Sequence, residues 1–154
     1  MRSIDRLMVS VVLAVSLSAY AVVGVGCGQK MTYSDGDSPY TREEVSSVFD
    51  SVAEPSFLGH PTEDASDLRH SQLASLRSRG EDASALATLL TEQFPGESRS
   101  VPYYAETAIV DGTDAWIVLE AWGSEGESLD RLRLWVFDRT TGDVLTSAAR
   151  NQER

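Results

Sequence analysis

Two stretches decide the fold: DAWIVLEAW at 114–122 and LRLWVFD at 132–138. Side chains of a strand point alternately to the two faces of a sheet. In the first stretch Ile117, Leu119 and Ala121 point one way, and Trp116, Val118, Glu120 and Trp122 the other. In the second, Leu132, Leu134 and Val136 oppose Arg131, Arg133, Trp135 and Phe137. The wholly aliphatic sets predict one face that receives helices. The opposite face then carries all three tryptophans of the chain with one acid and two arginines. An antiparallel register of Trp116 with Phe137, Val118 with Trp135, Glu120 with Arg133 and Trp122 with Arg131 satisfies both sides. It sets opposite charges across from each other and an arginine beside an indole.

Working outward, 101–110 reads as a further strand and 143–148 as a weaker one. Asp111-Gly112 and Thr141-Gly142 are hairpin signals, and GSEGES at 123–128 is a longer loop. Upstream the period changes to helical. Thr41-Arg42-Glu43-Glu44 forms a capping box followed by Val45, Val48, Phe49 and Val52, with Pro55 as the stop. A second helix opens at Thr62 with Ala65, Leu68, Leu73 and Leu76, and ends at Gly80. A third begins at Asp82, with Leu86, Leu89, Leu90 and Phe94 on one stripe and Pro95-Gly96 beyond it. Helices first and strands afterward predict an α+β domain: two to three N-terminal helices packed on one face of a three- to four-stranded antiparallel meander. The polar, glycine-bearing stretch before the first helix predicts a flexible tether over 27–40. The single domain then spans 41–149, with a disordered tail at 150–154.

At the N-terminus, residues 7–25 read LMVSVVLAVSLSAYAVVGV without a charge, after an opening that holds Arg2 and Arg6 against Asp5. The run ends at Gly24-Val25-Gly26-Cys27, whose cysteine is the only one in the chain. This arrangement resembles a bacterial lipoprotein precursor, with a signal peptide over 1–26. The resemblance implies cleavage after Gly26 and acylation of the Cys27 sulfur. Gly24 departs from the aliphatic residue usual three positions before that cysteine. The same run approaches the ~20 residues that span a bilayer, so an uncleaved anchor is the alternative. Both place the domain at the cell membrane, on its extracytoplasmic face. One cysteine in an exported domain leaves no internal disulfide.

Removing residues 1–26 leaves 128 residues, enough for one core. It also takes the net charge from −11 to −12, since Arg2, Arg6 and Asp5 leave together. So acidic a surface repels phosphate, and nucleic acid is not an expected partner. The order of helices before a curved sheet resembles cystatin-like and NTF2-like domains in outline. The closing VFDRTTGDVL at 136–145 is similar to the strand–turn–strand ending of PepSY-type modules, which implies a link to peptidase regulation.

Catalytic signals are weak. Glu63, Asp67 and His70 follow at helical steps, with His60 just before them, and carboxylate with imidazole suits zinc or manganese. Acids and histidines on an acidic helix read more simply as a solvated face, as Glu81 and Asp82 read as helix-start residues. No glycine-flanked serine elbow, GxGxxG or P-loop occurs in the sequence, and no catalytic residue, metal or cofactor is assigned. Tryptophan and arginine together are the residue types that dominate binding hot spots. The sequence therefore predicts a membrane-anchored, non-enzymatic binding module. Its face is Trp116, Glu120, Trp122, Arg131, Arg133 and Trp135, and its partner an envelope protein or small ligand. The alternative is a small NTF2-like enzyme with a pocket between helices and sheet.

Overall fold

The computed structural model describes residues 28–93 and 99–151. Cys27, Gly26 and the apolar run before them lie outside the described residues, as do Phe94 and 152–154. The elements are β1 (Thr32–Tyr40), α1 (Val48–Ser51), α2 (Ala65–Arg77), α3 (Glu81–Gln93), β2 (Ser100–Val110), β3 (Thr113–Trp122), β4 (Arg131–Asp138) and β5 (Val144–Asn151). The strands form one sheet in chain order, with β1 parallel to β2 and every other pair antiparallel.

This overturns the expected antiparallel meander with helices on one face. The sheet is mixed, has five strands, and is covered on both sides. The extra strand comes from the stretch read as a tether. Its sequence, TYSDGDSPY, hides the strand because β1 is a polar edge that alternates poorly. The register shifts between Asp35 and Ser38, Asp37 takes a positive φ of 46°, and Pro39 is tolerated because one side of an edge strand has no partner. What holds β1 lies at its start. Met31 is fully buried, and the Tyr33 hydroxyl donates to Asp82 at the start of α3. At the other end β5 reaches Asn151, taking in two residues of the expected tail.

The register between β3 and β4 is the one read from the side chains: Trp116 faces Phe137, Val118 Trp135, Glu120 Arg133 and Trp122 Arg131. Asp111 and Gly112 both have positive φ, 48° and 80°, as a two-residue hairpin with matching twist requires. The layers are exchanged relative to expectation. The aliphatic face packs under Val45, Val48, Phe49, Phe57 and Leu129, supplied by α1 and flanking loops. The two long helices cover the tryptophan face instead, where Leu73, Leu76, Leu86 and Leu90 meet Trp116, Val118 and Phe137. Glu44 does reach back to the Thr41 amide, at 3.0 Å, but the segment it caps winds into a 3₁₀ turn (Val45–Ser47) and the single turn of α1.

Because Met31 is core, Met31→Ala should cost about 2–4 kcal/mol of stability in urea unfolding. The same change in a tether would leave the transition where it was.

Candidate functional site

Glu120 has 4% of its surface exposed, deep between the sheet and α2. A carboxylate in that position must be neutralised, and three groups from two elements do so. Arg133 of β4 donates through Nε at 2.7 Å and approaches with Nη2 at 2.5 Å, both to Oε1. Trp135 Nε1 donates to the same oxygen at 2.7 Å. Arg69 of α2 stands 3.9 Å from Oε2. Arg69 is itself buried; the same Nη1 donates to the Ser100 carbonyl and hydroxyl of β2 at 3.2 and 3.3 Å, and Nη2 to the Leu90 carbonyl of α3 at 2.8 Å. One acid thereby ties β3 to β4, α2, the end of α3 and the start of β2.

Trp116 is likewise interior, 5% exposed. Its Nε1 donates to Asp82 Oδ2 at 2.9 Å, and Arg139 lies over its ring at 5.9 Å while holding Asp82 Oδ1 at 2.9 Å. Burial pushes the Asp82 carboxyl up, but the hydrogen bonds from Tyr33, Trp116 and Arg139 outweigh it and hold the group below its usual value. For Tyr33, burial and then the bond to Asp82 raise the hydroxyl's pKa. This second cluster joins β1, β3, α3 and the β4–β5 turn. Its turn glycine, Gly142, has a φ of 76°, and a Cβ there would come within 2.8 Å of Leu89.

Of the six residues expected to form an open binding face, Trp116 and Glu120 are therefore packing and latch residues. The four others form a stack that runs toward the sheet margin. Arg131 lies over Trp122 at 4.8 Å, Arg133 over Trp122 at 5.3 Å and over Trp135 at 4.7 Å. The far end of this stack opens on a cleft of about 390 Å³ beside β5, lined by Trp122, Asp130, Arg131 and Asn151. Arg131, its side chain 32% exposed, also meets Glu127 at 3.3 Å and Asp130 at 3.8 Å. The Trp122 Nε1 is buried and has no acceptor among the described residues.

The space between helices and sheet, where the alternative enzyme reading sets its pocket, is filled by the leucines of α2 and α3 and by Arg69. His60, Glu63, Asp67 and His70 are all exposed, and among the described residues no three acids, histidines or cysteines gather as a metal site. Two partners escaped the sequence reading. Arg69 and Gln72 stand on the apolar stripe of α2 between Ala65, Leu73 and Leu76, and a polar residue on such a stripe is itself the signal. Asp82 reads locally as a helix-start residue, and nothing nearby in sequence announces Trp116 or Arg139.

Two outcomes test this arrangement. Glu120→Ala leaves Arg133 and Arg69 without their anion and should cost about 3–5 kcal/mol in denaturant unfolding. Asp82 supplies stability that is present above the unfolded carboxyl pKa of about 3.9 and is lost as pH falls through its lower folded value. The melting temperatures of the wild type and Asp82→Asn should therefore differ at pH 7 and converge near pH 2. No family model, curated protein or solved structure matches the chain.

Proposed function

We propose that this protein is a lipid-anchored component of the extracytoplasmic face of the cell membrane, and that its domain is a non-enzymatic binding module. The anchor reading rests on the uncharged run at 7–25 and the Gly24-Val25-Gly26-Cys27 boundary. The binding reading rests on one observation above all: the arginine–tryptophan stack ends in an open cleft where Trp122 and Arg131 meet Asn151 at the end of β5. An edge strand offers every second amide and carbonyl to an incoming segment. Here that edge has a half-buried indole and a guanidinium beside it, the side chains that anchor interfaces most strongly. The partner is an envelope protein or peptide segment that lies along β5 and sets a side chain into the Trp122–Arg131 cleft.

The two edges of the sheet differ in a way that supports this choice. β1 is kinked by its irregularity at Gly36-Asp37, carries Asp35 and Asp37, and includes Pro39. Such features blunt an edge against pairing. β5 has neither proline nor acid within it, and its one irregularity lies near its start, opposite Val136 and Phe137.

Replacing Cys27 with Ser should abolish both incorporation of a labelled fatty acid and processing of the precursor; normal labelling of that variant would refute the lipid assignment. For the binding site, partners captured from solubilised membranes by the wild type should be lost from Trp122→Ala at unchanged melting temperature. Identical partner sets would remove the stack from consideration.

A further inference from the structure

The edge strand β5 has a cleft on each face of the sheet. Thr146, Ala148 and Arg150 stand opposite Val136, Leu134 and Leu132 and so share the aliphatic face. Ser147, Ala149 and Asn151 stand opposite Trp135, Arg133 and Arg131 on the other, where the Trp122–Arg131 cleft ends at Asn151. On the aliphatic face a groove of about 340 Å³ runs between β5 and the segment that holds α1, and Glu43, Glu44, Phe49, Asp50, Ala148 and Arg150 are among the residues that line it. A strand added to this edge sends its side chains alternately to the two faces. Consecutive residues of a partner would therefore meet different clefts.

The two clefts differ in what they can accept. In the groove, the carboxylates of Glu43, Glu44 and Asp50 stand against the one guanidinium of Arg150. Arg150 itself shows the kind of group that fits: it meets Asp50 at 2.6 Å and lies over the Phe49 ring at 5.1 Å. Glu43 and Glu44 are exposed, and neither meets a basic side chain among the described residues; Glu44 accepts only from the Thr41 amide. On the other face Arg131 is already held by Glu127 and Asp130. A further anion there is repelled by both carboxylates, and a cation by the guanidinium. What suits that side is an uncharged, flat or apolar group beside the Trp122 ring.

We infer that the segment recognised by β5 alternates in character, with lysine or arginine at every second position toward Glu43 and Glu44, and uncharged apolar or aromatic side chains between them, one of which fills the Trp122–Arg131 cleft. This rests on the binding reading above and names the chemistry of its partner. Main-chain pairing along an edge supplies affinity for any extended segment, and the alternate side chains supply the selection. Because the two clefts lie on opposite faces, the basic residue and the anchoring side chain must be an odd number of positions apart.

The test uses the full-length protein in a non-ionic detergent and blocked, fluorescently labelled peptides read by anisotropy. TLKVKLT sets lysines at alternate positions, TLEVELT puts glutamates in their place, and TKKVLLT keeps the composition of the first without its alternation. The first should bind about tenfold more tightly than the second, and more tightly than the third. A chain of net charge −11 attracts any cation, so two charge-matched double variants are compared. Glu43→Gln with Glu44→Gln, which keeps an acceptor for the Thr41 amide, should abolish the preference for lysine over glutamate. Glu63→Gln with Asp67→Asn, on α2, should leave it intact. Equal binding of the first peptide and either of the others, or the same loss of preference in both double variants, would overturn the inference while leaving β5 as the binding edge. Failure of every peptide to bind would instead refute the binding reading itself.

Discussion

A negative charge sealed between a sheet and a helix has to be met by positive charge from several directions, and Glu120 imposes that requirement on the whole domain. Its partners come from β4 and α2, and through Arg69 the demand passes on to α3 and the start of β2. Taking an acid and two arginines out of water costs several kcal/mol per ion before the attraction between them is counted. Leucines of matching volume would stabilise such an interface as well or better. What charges add is selectivity. Only one placement of α2 and α3 over the sheet brings Arg69 to Glu120 and the Leu90 carbonyl to Arg69, whereas an all-aliphatic contact would tolerate sliding.

The Asp82 cluster performs a similar task at the other end of the helical layer. It fixes α3 to β1, β3 and the β4–β5 turn, so the helices are located at two points with apolar packing between them. Tryptophan suits both latches for the same reason. Each ring fills the space beneath a helix while its one N–H reaches the carboxylate that would otherwise be left unsatisfied. Trp122 lies past the end of the helical cover, and its N–H has no acceptor among the described residues. The chemistry that is internal structure at Trp116 and Trp135 thus becomes surface chemistry one residue pair further along.

Much of the sheet was legible because cross-strand partners are chosen by side-chain type. The pairing of Glu120 with Arg133 and of Trp122 with Arg131 follows from charge and cation–π preference alone, and it fixes the register of β3 and β4. The same logic misjudged which face takes the helices. Aliphatic uniformity looks like the better floor for a helix, yet the tryptophan face, once its acid is paired, is the one that takes α2 and α3. The polar run at 32–40 could not be recognised as a strand from its own residues. Its place depends on Met31 and on a tyrosine whose partner, Asp82, is 49 positions away. Local periodicity carries no record of that contact.

That misreading has a consequence for the site. If 32–40 were a tether, β2 would be the edge of the sheet, and its long, almost wholly buried row of residues would stand open to pairing. Because β1 is part of the sheet and Gln29 is pinned between α2 and the loop after α1, that side is closed instead by a strand whose irregularity, acids and proline make it unfit for further pairing. β5, the other edge, has no acid or proline within it, and its one irregularity lies near its start. The strand that local periodicity hides is therefore the one that leaves β5 as the edge able to pair.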